Sequence, residues 1–163
     1  MSIRGFTLFE FIVVTAIICI LTLTTLPSFN NFLLANRAST TANSLFTALS
    51  YTRDLAIANQ VGIKFAPLQS NDWQNGQVAV NENGKILRKF DALRQNDTLI
   101  WNSSLSKNNY IEYFADGTTN GQSGTFIYCP KGHVKYAYAL IISETGHVRI
   151  TNQLTDEQKR NCS

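Results

Sequence analysis

The chain opens on an unbroken apolar run. From Phe6 to Leu26, 21 residues carry one charge, Glu10, and no other charge occurs before Arg37. A helix that crosses a bilayer needs about 20 mostly apolar residues at 1.5 Å rise each, so this run is long enough to span one. A carboxylate inside such a span costs roughly 2.5–3.5 kcal/mol on insertion scales, which makes Glu10 a functional candidate. Past Pro27, apolar and small residues recur at spacings of three and four: Ala38, Ala42, Leu45, Leu49, Thr52 and Ala56. Phe46 and Leu55 widen that stripe, and Arg53 and Asp54 sit toward the other side. The period is that of an amphipathic helix. There is no glycine between Gly5 and Gly62, so residues 6 to about 59 read as one helix with Pro27 as its single interruption.

From Val61 the period changes to two, and glycine and asparagine become frequent. The pattern predicts strands at Val61–Phe65, Gln77–Asn81, Lys85–Phe90, Thr98–Trp101, Tyr110–Phe114 and Gly124–Cys129. Asn83-Gly84 between two of them is a strong hairpin signal, because both residues tolerate positive φ. Asp116 to Gly124 reads as a polar, glycine-rich loop, and Asp156 to Ser163 as a polar tail. The last hairpin, Val134–Ser143 with His147–Thr151, can be read residue by residue. A three-residue loop Glu144-Thr145-Gly146, with Gly146 at the bulge, pairs Ser143 with His147 and Ile142 with Val148. Leu140 then faces Ile150, which puts all four apolar residues on one face and His147 and Arg149 on the other. A two-residue loop would set Arg149 against Ile142, a poorer match. The whole predicts an α+β fold: a long N-terminal helix packed on an antiparallel β-sheet globular domain.

Composition bounds the rest. With 163 residues, 44% hydrophobic and 15% charged, the chain holds one globular domain plus an anchor. The net charge of +3 is too small to imply nucleic acid by itself. Nothing points to catalysis, a cofactor or a metal: the two histidines, His133 and His147, belong to no HExxH, CxxC, GxSxG or P-loop pattern. Cys129 and His133 are one ligand pair where a metal needs three or four. Ser143 has no base within its motif, and Trp73 and Trp101 have no basic residues interleaved as a base-stacking platform would.

The N-terminal Gly5-Phe6-Thr7-Leu8-Phe9-Glu10 resembles the class III signal of type IV prepilins and pseudopilins. Phe9 departs mildly from the usual Ile or Leu before the Glu. Trp73-Gln74-Asn75-Gly76, the Asn83-Gly84 turn, Cys129-Pro130 and the closing Ser-x-x-Gly hairpin narrow the resemblance to the GspH/FimT family of minor pilins and pseudopilins. It covers nearly the whole chain. The resemblance implies a leader at 1–5, a transmembrane assembly helix at 6–27, an amphipathic helix at 28–60 and a periplasmic β-rich domain at 61–163. It implies cleavage by a prepilin peptidase between Gly5 and Phe6, N-methylation of Phe6, and pairing of Glu10 with the N-terminal ammonium of a neighbouring subunit. Loss of Arg4 with the leader would bring the net charge to +2.

In that setting the soluble part lies in an oxidising compartment. With Cys19 in lipid, Cys129 and Cys162 are expected to form a disulfide. The expected role is a minor type IV pilin that assembles with other pilins from the inner membrane into the pilus. Two alternatives stand beside it: a minor pseudopilin of a type II secretion system, and a pilus-borne subunit that binds double-stranded DNA for uptake. DNA-binding relatives carry Gly-Arg-x-Arg at the last hairpin. Here the matching residues are Gly146-His147-Val148-Arg149, with His147 in place of the first Arg. Lys131, Lys135, Lys159 and Arg160 complete the candidate DNA surface.

Overall fold

The computed structural model describes residues 7–69, 71–103, 109–119, 121–130 and 133–162, apart from the side chains of 23–28. Gly5, Phe6 and Lys131 lie outside them. The chain divides into two compact units, Met1–Asn36 and Arg37–Ser163. One helix, α1 (Leu8–Asn59), supplies the first unit and opens the second. The break expected at Pro27 does not end it, for α1 is helical on both sides of that position. A proline removes one hydrogen bond, and the flanking residues keep theirs.

In the second unit α1 buries the predicted stripe: Ala38, Ala42, Leu45, Leu49, Thr52 and Ala56 all lie inside, with Ala48 added. Eight strands follow among the described residues: β1 (Ile63–Gln69), β2 (Asp72–Asn81), β3 (Ile86–Phe90), β4 (Thr98–Ser103), β5 (Ile111–Tyr113), β6 (Gly124–Cys129), β7 (Tyr138–Ile142) and β8 (Val148–Thr151). They form two antiparallel sheets, in the orders β3-β2-β1-β5 and β4-β6-β7-β8. The first strands run longer than expected. β1 and β2 continue past Phe65 and back from Gln77, with the register shifting between Pro67 and Gln69. A proline inside a sheet belongs at such an irregularity. The predicted final strand from Val134 is shorter, because Val134–Tyr136 forms a 3-10 turn first.

The main core lies between α1 and the sheets. Phe65 and Trp73 of the first sheet meet Phe126 of the second, with ring centroids 6.1 and 4.7 Å away, and Trp101 packs on Phe126 at 4.5 Å. Strand β6 alternates between two clusters. Phe126 and Tyr128 face the main core, whereas Ile127 and Cys129 face a second one with Ala137, Ala139, Leu154 and Cys162. The C-terminal segment builds that outer cluster. The stretch read as a polar tail holds a short helix, α2 (Asp156–Arg160), ahead of the bridged Cys162. Thr155 and Gln158 close it with a capping box, the reciprocal side-chain bonds that satisfy two orphan N–H groups. The Tyr128 hydroxyl donates to the Asp97 carboxylate at 2.8 Å in the interior. Burial first, then that carboxylate, push the Tyr128 phenol far above its usual range, against a hydrogen bond with Thr41 of α1.

Three loops share one design. In 81–85, 114–118 and 143–147 the first residue's N–H bonds the fifth residue's carbonyl, and the fourth residue, Gly84, Gly117 or Gly146, bonds back to the first. The hairpin expected at Asn83-Gly84 forms, with only the glycine at positive φ, so its loop is the three-residue bulged type. The last hairpin follows the predicted register, Ile142 opposite Val148 and Leu140 opposite Ile150.

Candidate functional site

The start of α1 combines an exposed apolar surface with a single carboxylate. Leu8, Phe9 and Phe32 are 78%, 75% and 65% exposed, and the large apolar residues from Phe11 to Leu21 are exposed as well. A surface of that extent marks a membrane or protein contact. Among the described residues no helix is long and apolar enough to cross a membrane.

Glu10 lies on the first turn. Thr7 donates its main-chain N–H and its hydroxyl to Glu10 Oε2, at 2.9 and 3.0 Å, and the Glu10 N–H donates to Thr7 Oγ1 at 3.2 Å. This is a capping box, so the carboxylate has partners inside its own chain. Sequence reading missed the role of Thr7, although Thr7-x-x-Glu10 just before an apolar run is the signature of such a cap. Cys19 is a free, exposed thiol on the same helix.

The second region is the outer face of the β4-β6-β7-β8 sheet. Cys129 and Cys162 are bridged, with Cα atoms 5.6 Å apart, and Leu154 sits beneath the returning chain. The bridge brings α2, with Lys159 and Arg160, onto the face that carries Ile127 and Ala139. Register places Arg149 opposite Ile141 on that same face, exposed, with exposed His147 at the loop end. Lys135 lies in the adjoining 3-10 turn, its ammonium 5.6 Å from the Tyr136 ring centroid. Arg149 and the segment carrying Lys159 and Arg160 thus lie to one side of the sheet, with Lys135 in the turn leading into β7 and His147 at the loop end. The charge there is diluted, because Asp156 and Glu157 share α2 and Asp156 pairs with Lys159 at 3.2 Å. Among the described residues no group of three His, Cys, Asp or Glu side chains could hold a metal.

The loop of β7–β8 is fixed from below. Arg53 of α1 donates from Nε to the Gly117 carbonyl at 2.8 Å, and the Thr119 N–H donates to the Glu144 carbonyl at 3.0 Å. Gly146 sits against Gly117 so closely that an added Cβ would overlap the Gly117 carbonyl oxygen.

A long N-terminal helix on antiparallel sheets, with an apolar leading half and a lone early Glu, defines an α+β protein of the type IV pilin-like class. Residues 41–146 match the family described as Type II transport protein GspH, and the chain belongs to that family. Two crystal forms of the type IV minor pilin FimU of Pseudomonas aeruginosa have the same fold. The first is 27% identical with a TM-score of 0.60, covering 71% of this chain and 89% of FimU. The second is 26% identical with a TM-score of 0.57, covering 69% and 91%. No curated protein sequence matches the chain.

Proposed function

We propose that this chain is a minor type IV pilin, inserted in the inner membrane by its N-terminal helix and incorporated with other pilins into the pilus. The observation that carries the reading is the exposed apolar start of α1 with Glu10 as its first-turn acid, joined to a GspH-type body. In lipid or in a filament core, Glu10 without a partner would take up a proton. An ammonium from a neighbour's mature N-terminus at Phe6 offsets its desolvation and fixes the axial register between subunits. The test has two parts. Membrane-extracted protein should have the intact mass of a chain that begins at N-methyl-Phe6, and a retained Met1–Gly5 in cells with active prepilin peptidase refutes the processing. Glu10→Val should insert normally yet fail to enter filaments, and unchanged incorporation removes the intersubunit ion pair.

The family's description and the FimU likeness name two machines, a type II transport system and a type IV pilus. Co-purification of the membrane form with its neighbours separates them, since pilins and pseudopilins differ in sequence. A DNA-binding role is a second reading, supported by the register that turns Arg149 and His147 outward beside α2. Such binding would be weak, indifferent to sequence and salt-sensitive, because phosphate contacts dominate it. A titration of residues 28–163 with short duplex DNA at low salt should show it, and Arg149→Ala with Lys159→Ala should reduce it. No shift at high micromolar protein leaves assembly as the sole function.

A further inference from the structure

Among the described residues, strand β3 is an edge of its sheet and pairs only with β2. Its other side therefore presents main-chain N–H and C=O groups with no strand to meet them. The strand is also unusually bare: Ile86 is 43% and Leu87 39% exposed, and Arg88 and Lys89 are exposed beside them. Natural edges are blunted by charge, and Arg88 and Lys89 serve that purpose against apolar or basic strands. Neither side chain takes part in an ion pair among the described residues. The Arg88 guanidinium is held in place, 4.7 Å from the Tyr51 ring centroid and 5.8 Å from that of Phe90.

Behind this strand a cleft of about 450 Å³ opens between α1 and the segment after β3. One wall carries the hydroxyl residues Thr40, Thr41, Ser44 and Thr47 of α1. The other carries Arg88, Lys89 and Arg94 with a single carboxylate, Asp91, among them. The surface thus combines an open strand edge, two exposed apolar side chains, ordered cationic groups and a hydroxyl-lined recess. We propose that it is a docking site for an extended, acidic segment of a different pilin subunit. The segment adds as a fifth strand along β3, and its carboxylates meet Arg88 and Lys89. A second copy of this chain is the poorer complement, since it too is net basic, +3 in full and +2 without Arg4. The proposal rests on the assembly reading above.

The test is photocrosslinking of the full-length protein in cells that assemble the filament. A photoreactive p-benzoylphenylalanine is placed at Leu87 and, in a separate strain, at Ile17 on α1. From Leu87 the expected product is a crosslink to an acidic peptide of another pilin, identified by mass spectrometry. Arg88→Glu with Lys89→Glu should lower its yield on the order of tenfold, since like charges across an interface suppress association. The same pair of substitutions should leave the Ile17 crosslink and the Cys129–Cys162 bridge unchanged, which shows that the domain remains folded. A Leu87 crosslink to a second copy, to a peptide without acidic residues, or with a yield indifferent to the charge reversal overturns the proposal. A crosslink from Ile17 alone overturns it and leaves the assembly reading standing. Silence at both positions overturns both.

Discussion

Arg53 and Gly117, 64 residues apart in sequence, are joined by a hydrogen bond of 2.8 Å from the guanidinium Nε to the glycine carbonyl. The bond ties the last turns of α1 to a loop that itself carries the tip of the β7–β8 hairpin. Arg53→Met removes a charge-assisted bond and should cost about 1.5 kcal/mol of unfolding free energy, read as a lower urea midpoint. Arg53→Lys should recover little of it, because a single ammonium lacks the planar fork that fixes the Nε direction.

Gly146 and Gly84 make a matched pair, both at φ +77. A Cβ on Gly84 meets open space, whereas one on Gly146 overlaps the Gly117 carbonyl. Gly84→Ala should therefore cost only the left-handed backbone penalty, about 1–2 kcal/mol. Gly146→Ala should cost distinctly more and displace the hairpin tip. Equal urea midpoints for the two variants would show that the close approach at Gly146 carries no energy.

The Cys129–Cys162 bridge closes a loop with a sequence separation of 33. Chain-entropy bookkeeping gives such a loop about 3–4 kcal/mol. Cys129→Ser with Cys162→Ser should lower the melting temperature markedly and free Leu154 and α2 from the outer cluster. Hydrogen exchange at 154–162 should then rise before exchange in β1 and β2.

Acid should act on the 114–118 loop. The Thr118 N–H and hydroxyl both donate to Asp116 Oδ1, at 2.9 and 2.8 Å, and hold its carboxyl below the ordinary value of 3.8. A group depressed in the folded state contributes stability above its unfolded pKa and loses it as pH falls through the folded one. The loss from Asp116 therefore belongs to the range below about pH 4. Thr118→Val keeps the main-chain donor and removes the hydroxyl. It should raise the Asp116 midpoint in a carboxyl NMR titration and shrink the acid sensitivity.

The α1 stripe and the last hairpin were legible because each rests on a strict period. A helix face repeats at three and four, and Leu140, Ile142, Val148 and Ile150 fit one face in one register only. Residues 66–69 and 72–76 were not legible as strand, since Pro67 and the Asp72–Gly76 stretch break alternation and lie where the register shifts. Helix α2 has no buried residue of its own, so no periodic signal marked it. Its Thr155-x-x-Gln158 cap was visible in principle, as was Thr7-x-x-Glu10. The links from Arg53 to the Gly117 carbonyl and from Thr119 to the Glu144 carbonyl join distant segments, and no local pattern announces them.

The two faces of β6 are secured in different ways, one by α1 through packed apolar side chains and the other by a covalent staple. This separates two mechanical duties. Tension drawn along α1 shears the apolar seam against Phe126 and Tyr128, and the sulfur bridge lies outside that load path. The staple instead holds residues 154–162 to the outer cluster, where a protease would otherwise find a loose segment. Resistance to pulling and resistance to trimming are thus set by different residues, and either can change in evolution without disturbing the other.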